Sequence, residues 1–248
     1  MSTATPRPAD AAPAPRLTVV MAGLDEEANV AHAVGRVVAA LERWQERFEV
    51  LVIDDGSRDR MAEIAEAIAA RDPRVRVLRN GRNLNYGLSL RRGLAEARGE
   101  WVLHEPMDLP LDPEEIAAFC PCFADADVVV VSRHDRSAHS GWRRLTSWTN
   151  HLLLRLLFRP RAADLNFVQF YRRAWVQGVR VRSTSPAFVT PELILRAERT
   201  GRRVREVPAA FRRRERGRAH FGRPKDILWT LRDMLGLRLA TWLRGWQA

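Results

Sequence analysis

Five short apolar runs recur over the first half of the chain, each followed by a segment of helical period, and that alternation restricts the fold to one class. The runs are Leu17–Ala22, Glu49–Asp54, Val75–Leu78, Trp101–His104 and Val128–Val131. They are rich in β-branched residues and leucine, too short for buried helices, and bounded by turn residues, so they read as strands. Between the first two, Val30, Val34, Val37, Leu41 and Trp44 recur at helical steps, which puts one apolar stripe on a helix packed against a sheet. Further helices are expected over Met61–Arg71, Leu88–Arg98, Pro113–Phe119 and Leu145–Phe158, and another over Pro191–Thr200 that stops at Gly201. Repeated βα units build a mostly parallel sheet with helices on its faces. Such open sheets bind ligands beyond the carboxyl ends of their strands, so the residues that follow each run are where chemistry is sought.

The flanks differ from this pattern. Residues 1–15 alternate Ala, Pro and small polar groups, too few large apolar side chains to offset ordering entropy, and are expected to be a disordered tail. The remainder is globular in composition, 46% apolar and 29% charged over 248 residues, within the range of a single α/β domain. Uncharged stretches such as Leu145–Leu154 reach only about half of the ~18 residues that cross a bilayer. The N-terminus lacks an apolar signal core. The expectation is a chain that neither spans a membrane nor enters a secretory route. Cys120-Pro121-Cys122 has a spacing that suits neither a zinc ribbon nor a redox pair, and reads as two half-buried thiols.

Charge is segregated. All the basic residues except Lys225 are arginine, and from Arg133 onward there are 26 basic and 8 acidic side chains, against 15 and 22 before it. A solubilising coat would not divide this way. The second half is expected to face an anion: nucleic acid, an anionic membrane or a phosphorylated substrate.

The first strand ends in Ala22-Gly23-Leu24-Asp25-Glu26-Glu27. A dinucleotide fold would place a glycine-rich turn here, with amides open to a pyrophosphate; one glycine and three carboxylates argue against a redox cofactor. The second strand ends in Asp54-Asp55-Gly56-Ser57-Arg58-Asp59. Adjacent carboxylates at a strand end can accept from a base or ribose, or hold a divalent ion against a phosphate. Capping of the next helix accounts for Ser57 and Asp59, but not for both Asp54 and Asp55.

These residues carry a resemblance. Gly23 to Val30, Val52 to Asp59 (Val-Ile-Asp-Asp-Gly-Ser-Arg-Asp), Asn83-Leu84-Asn85-Tyr86-Gly87 and Arg91 to Glu100 together resemble family 2 glycosyltransferases of the GT-A fold, nearest the dolichyl-phosphate mannose synthase and polyprenyl-phosphate sugar transferase branch. The similarity runs from Leu17 to about His220. It implies a single nucleotide-diphospho-sugar transferase domain over residues 16–223 with a mostly parallel sheet flanked by helices; beyond it, residues 224–248 read by their own periodicity as an amphipathic helical extension. It implies that Asp25, Glu27, Asp54, Asp55 and Asn83 hold the nucleotide sugar.

The stretch Pro106-Met107-Asp108-Leu109-Pro110-Leu111-Asp112-Pro113-Glu114 departs from the family. Asp108 matches the second aspartate of the Asp-x-Asp motif and is the candidate ligand for a divalent cation, Mg or Mn. Pro106 replaces the first aspartate and Pro110 the usual glutamine. A divalent ion takes several oxygens, so one retained carboxylate puts metal dependence in question unless Glu105, Asp112, phosphate oxygens and water complete the set. A proline-rich turn that has lost its ion is the competing account.

Downstream, Ser132-Arg133, Trp142-Arg143-Arg144, Asn150, Asp164 to Arg173, Glu206-Val207-Pro208 and Arg214 to His220 continue the similarity. It implies catalytic roles for Asp108, Asp164 and Arg214, with Asp164 nearest the reacting carbon or the acceptor. Arg133, Arg214 and Arg218 are the candidates for an acceptor phosphate, since the guanidinium fork suits phosphate; the run Arg212–Arg223 can equally be a solvated loop. His104, His134, His139 and His151 read as packing or surface. Leu228, Leu231, Leu235, Leu239, Trp242 and Trp246 form a helical stripe flanked by Lys225, Arg232, Arg238 and Arg244. That stripe either lies in a membrane interface or docks on protein.

The activity implied is inverting transfer of a sugar from a nucleoside diphosphate sugar to an anionic acceptor, polyprenyl phosphate, by a cytoplasmic enzyme peripheral on the inner face of a membrane. A noncatalytic homologue that keeps the nucleotide pocket is the alternative. Nucleic acid is not an expected partner, because charge permits it but no recognition motif supports it.

Overall fold

The computed structural model describes residues 14–45, 47–133, 141–210 and 224–246. Strands β1 (Leu17–Gly23), β2 (Phe48–Asp54), β3 (Val75–Arg79), β4 (Trp101–His104), β5 (Val128–Arg133), β6 (Gln169–Arg172) and β7 (Val204–Ala209) form one sheet in the order β3-β2-β1-β4-β6-β5-β7. The first four run parallel, β6 lies antiparallel between β4 and β5, and β7 is parallel to β5 on the edge. β1 and β2 are buried along their whole length, as strands covered on both faces must be, which is why their sequences read as unbroken apolar runs.

Successive side chains of a strand enter opposite faces. Val19, Met21, Val50 and Val52 pack with α1 (Glu27–Trp44), α2 (Met61–Ala69) and the short helix α4 (Ile116–Phe119). Val20, Leu51 and Ile53 pack on the other side with α3 (Tyr86–Glu96), α5 (Gly141–Phe158), the one-turn α6 (Arg173–Val176), α7 (Val189–Arg199) and α8 (Pro224–Arg244). The stripe expected on α1 is buried at Val30, Val34, Val37 and Leu41.

Two strands were not anticipated. β6 has four residues with a polar group at each end, and β7 is an exposed edge strand whose Arg205 and Glu206 face outward. Pro208 is tolerated in β7 because an edge strand has a side that needs no donor. Cys120 is buried, its Sγ directed at the Ile116 carbonyl at 3.6 Å, and Cys122 is half-buried. The expected tail, 1–15, lies outside the described residues up to position 13.

The chain passes from β3 on one flank of β1 to β4 on the other. Strand order reverses there, and the crevice at the carboxyl ends of β1 and β4 is the place where such sheets bind ligands. Gly23, Asp54, Arg79, His104, Arg133 and the start of β6 at Gln169 all lie on that edge.

Candidate functional site

Asp54 closes β2 opposite Gly23 of β1 and Arg79 of β3. Its Oδ1 accepts from the Ser57 amide at 3.1 Å, and Arg79 Nε lies 3.9 Å from Oδ2. Asp55 donates its own amide to the Gly23 carbonyl at 2.9 Å. Its Oδ1 accepts three hydrogen bonds, from Asn80 Nδ2 at 2.9 Å, the Leu84 amide at 2.8 Å and Ser89 Oγ at 2.7 Å. Both carboxylates are buried, at 1% and 3% exposure. One oxygen of Asp55 thus gathers the end of β3, the loop before α3 and the first turns of α3. Gly56 follows at φ +78°, and a Cβ there would stand 2.4 Å from the Arg82 backbone. Only glycine lets the β2–α2 loop and the β3–α3 loop approach this closely.

The carboxylates after β1 engage the β2–α2 loop. The Asp25 amide donates to Ser57 Oγ at 3.0 Å and Asp25 Oδ1 accepts from the Arg58 amide at 2.8 Å. Glu27 Oε2 accepts from the Arg60 amide at 3.1 Å, and Asp59 accepts from the Glu27 and Met61 amides. Two helix starts are therefore capped across loops, which satisfies amides that a lone helix leaves orphaned. Asp59 caps as expected; Asp25 and Glu27, read from sequence as nucleotide ligands, have these bonds to make first. Asn83 Oδ1 accepts from the Asn85 amide, and Asn85, at φ +80°, caps α3 through the Gly87 and Leu88 amides.

Across the crevice lies a set of residues that sequence reasoning did not assemble. His104 ends β4 beside Gln169 of β6, and the Tyr86 hydroxyl is hydrogen-bonded to His104 Nε2. Among the described residues, His104 Nδ1 and Glu105 Oε2 are buried with no hydrogen-bond partner. Burial pushes the His104 imidazole down to about 4. Burial pushes the Glu105 carboxyl well above its ordinary value, opposed by the Leu111 amide and reinforced by the charge of Asp108. Burial raises Tyr86 too, with Asp108 and Glu105 adding to the effect. Burial thus shifts all three toward their uncharged forms. The available signal was their position at the end of the fourth strand; only the packing of α3 and β6 shows that they are enclosed.

Glu105 makes stability depend on pH in a defined sense. Below the ordinary glutamate value both folded and unfolded chains are protonated there. Above it the unfolded chain ionises first, and the folded state loses about 1.4 kcal/mol per pH unit until its own raised value is reached. Glu105→Gln keeps an oxygen for the Leu111 amide and removes the ionisation. Its melting temperature relative to the parent is expected to climb between pH 4 and pH 7, and a difference that is flat across that range would show that Glu105 ionises as an ordinary carboxyl.

Asp108 sits half-buried in the turn after Glu105, closed by the Leu109 amide on the Pro106 carbonyl at 3.0 Å. The neighbouring oxygens are a poor cation cage. Pro106 offers no side-chain ligand, the Glu105 carboxyl is pushed toward its protonated form by burial, and Asp112 pairs with Arg36 at 2.8 Å and accepts from the Glu114 amide. Among the described residues no group of three or more His, Cys, Asp or Glu side chains converges to hold a metal ion. The described side chains by themselves do not form a ligand set for a divalent cation.

Further along the edge, Arg133 at the end of β5 closes its fork on Asp164, Nε to Oδ2 at 2.7 Å and Nη2 to Oδ1 at 3.1 Å. Asp164 is buried, and the guanidinium also lies 5.2 Å from the centre of the Phe167 ring. Two residues given separate roles from sequence form one unit, in which Nε and Nη2 of Arg133 are taken up by the Asp164 carboxylate. Arg214, Arg218 and the rest of the run Arg212–Arg223 lie outside the described residues. The strand-end carboxylates and Asn83 thus share one half of the crevice, Asp108 borders its middle, and the Arg133–Asp164 pair stands on the far side.

Comparison with known proteins gives the following. The sequence profile of the family described as Glycosyl transferase family 2 matches residues 18–183. An undecaprenyl-phosphate 4-deoxy-4-formamido-L-arabinose transferase of Pseudomonas paraeruginosa is 33% identical over 177 residues, 68% of this chain and 51% of its own. A transferase with the same description from Edwardsiella ictaluri is 28% identical over 214 residues, 85% of this chain and 64% of its own. The chain therefore spans about half the length of the first of these relatives. Among solved structures, glucosyl-3-phosphoglycerate synthase of Mycobacterium tuberculosis, crystallised with Mn2+, uridine diphosphate and phosphoglyceric acid, superposes with a TM-score of 0.66 at 20% identity, covering 92% of this chain and 78% of that one. Mannosyl-3-phosphoglycerate synthase of Rubrobacter xylanophilus does so at 0.66 and 15%, covering 93% and 74%.

Proposed function

The chain belongs to glycosyl transferase family 2 and has the GT-A fold, and from that premise we propose that it transfers a sugar from a nucleoside diphosphate sugar to a polyprenyl phosphate with inversion. The observation that carries this is the pair Asp54–Asp55, buried at the carboxyl end of β2 and beside the strand-order reversal at β1. The acceptor class is supported by the relatives, which are described as acting on undecaprenyl phosphate.

In the proposed reaction an acceptor phosphate oxygen attacks the anomeric carbon as the bond from that carbon to the donor diphosphate breaks, and the nucleoside diphosphate departs with the electron pair. The acceptor is already an anion at neutral pH, so no general base is required. Catalysis then rests on alignment and on stabilising charge at the leaving diphosphate. Asp55 and Asp54 would hold the nucleoside, Asp25 and Glu27 would keep the two loops around it in place, and Asp164 would act through the Arg133 guanidinium that it orients. Arg214 and Arg218 remain the proposed grip on acceptor phosphate. Since the described side chains do not complete a divalent cage, arginine is proposed to take over charge at the leaving diphosphate that a metal ion would otherwise neutralise.

The test is transfer of labelled sugar from a panel of uridine and guanosine diphosphate sugars into an organic-extractable product, with and without undecaprenyl phosphate, and with Mg2+, Mn2+ or chelator. Label in the lipid phase only when acceptor is present, with a substantial fraction surviving chelation, is expected. Absence of both transfer and donor binding across the panel would overturn the function, and complete loss in chelator would overturn the arginine assignment alone.

A further inference from the structure

α8 uses one face to fold and leaves a second apolar face uncovered. Met234 and Leu237 are buried in the core, Asp233 Oδ2 accepts from the Thr184 and Ser185 amides at 2.7 Å each, and Trp229 Nε1 donates to Thr184 Oγ1 at 3.1 Å. The helix is therefore an integral part of the domain. Around its axis from that face runs a stripe at positions i, i+7, i+11 and i+14: Leu228 at 68% exposure, Leu235 at 52%, Leu239 at 57% and Trp242 at 72%. Arg232 and Arg238, both exposed, lie on either side of it. The neighbouring α5, which packs against α8, adds Trp148 at 62% and Leu156 at 68%.

From this surface we infer that α5 and α8 together form a docking face for an anionic lipid bilayer, which deepens the reading of a lipid-phosphate acceptor and rests on it. Large apolar side chains standing this far into water mark an interaction surface, and tryptophan with leucine inside a basic border is the composition of a helix lying in the headgroup boundary. Charge selects the occupant. The exposed charges beside the two stripes, Lys225, Arg232, Arg238, Arg155 and Arg159, are all basic. Of the two carboxylates on α8, Asp233 is spent on the Thr184 and Ser185 amides and Asp226 is half-buried in the first turn. A second copy docked here would bring like charges together, whereas an anionic bilayer brings opposite ones. No helix among the described residues is long and apolar enough to cross a membrane, and the geometry points to lying on one.

The face also connects to the crevice. Thr184 and Ser185, held by α8, abut the first turn of α3: a Cβ on Gly87 would stand 2.3 Å from the Ser185 carbonyl oxygen. That turn leads through Ser89 to Asp55. A bilayer seated on the stripe is thereby linked to the strand ends proposed to hold the donor through α8 itself, the turn at Thr184 and Ser185 and the first turn of α3.

The test is sedimentation of the whole chain with vesicles free of polyprenyl phosphate and donor, either pure phosphatidylcholine or with added phosphatidylglycerol, at low and high salt. Binding to anionic vesicles that falls steeply with salt is expected, with a loss of about tenfold or more in partitioning for Leu235→Ser/Leu239→Ser and for Trp148→Ser/Leu156→Ser, because apolar burial and screened attraction act together. Nucleotide binding and melting temperature should stay at parental values, since these side chains face water. Equal binding to neutral vesicles, no binding at low salt, or a dimer that the same variants dissociate would each overturn the inference. If sugar transfer to a short, detergent-free prenyl phosphate proceeds while vesicle binding fails, the docking face is wrong and the reaction stands; vesicle binding without any transfer gives the converse.

Discussion

Asp55→Asn is expected to weaken uridine or guanosine diphosphate binding by roughly tenfold to a hundredfold in a calorimetric titration, the range for losing a charge-assisted hydrogen bond, while the domain stays folded. The asparagine keeps an oxygen where Asn80, Leu84 and Ser89 converge on Oδ1, so the β3–α3 loop keeps its anchor and only the charge is lost. Asp55→Ala removes the anchor as well. Three donors then lose their acceptor, at about 1–3 kcal/mol for each that stays buried and unpaired, and in a domain of this size each kcal/mol lowers the melting temperature by roughly 2–4 °C. The two variants thus separate ligand contact from scaffold: a loss of affinity in the asparagine variant without a matching loss of stability marks contact with the nucleoside, and unchanged affinity there removes this strand end from the site. Ser89→Ala, which trims one donor and leaves the carboxylate, should move stability more than affinity.

How far sequence could see depends on where burial originates. β1 to β5 were legible to within two residues because strands covered on both faces are written as apolar runs, and β3, half-buried, still alternates apolar residues with arginine. β6 was not, since Gln169 and Arg172 are polar at both ends of a strand of four residues and its place between β4 and β5 is set by distant partners. The same division holds in the crevice. Asp54 and Asp55 announce themselves as adjacent carboxylates that one helix cap cannot explain. Asp25, Glu27 and Asn83 have the right residue types, yet much of their bonding capacity goes into joining one loop to the next. His104 and Glu105 look ordinary in the sequence, because their shifted ionisation comes from enclosure by α3, β6 and the Pro106–Leu111 turn. The C-terminal stripe was read as either membrane-facing or packed; α8 has one face for packing and another left open, a division that periodicity alone blurs because the two faces adjoin.

The pairing of Arg133 with Asp164 lies at the far limit of sequence legibility, since the two come from the end of β5 and the segment that leads into β6. It also carries a large expected effect on folding. Asp164 is 3% exposed and the Arg133 side chain 16%, so removing the arginine strands a carboxylate in the interior. Breaking a buried pair in this way costs about 3–5 kcal/mol, whereas replacing both members with apolar groups of similar volume is often neutral. Arg133→Ala is therefore expected to lower the melting temperature by on the order of 10 °C, and Arg133→Met/Asp164→Leu to restore most of it. Arg133→Lys should fall between, because a point charge cannot make both bonds of the fork and stacks less well on Phe167. Function then separates the two accounts of the pair. The double variant, folded and still able to bind nucleotide, should have lost sugar transfer if the guanidinium held by Asp164 shapes the acceptor side of the crevice. A double variant that recovers both stability and transfer would reduce the pair to a strut between β5 and β6, and would leave acceptor phosphate to arginines beyond it.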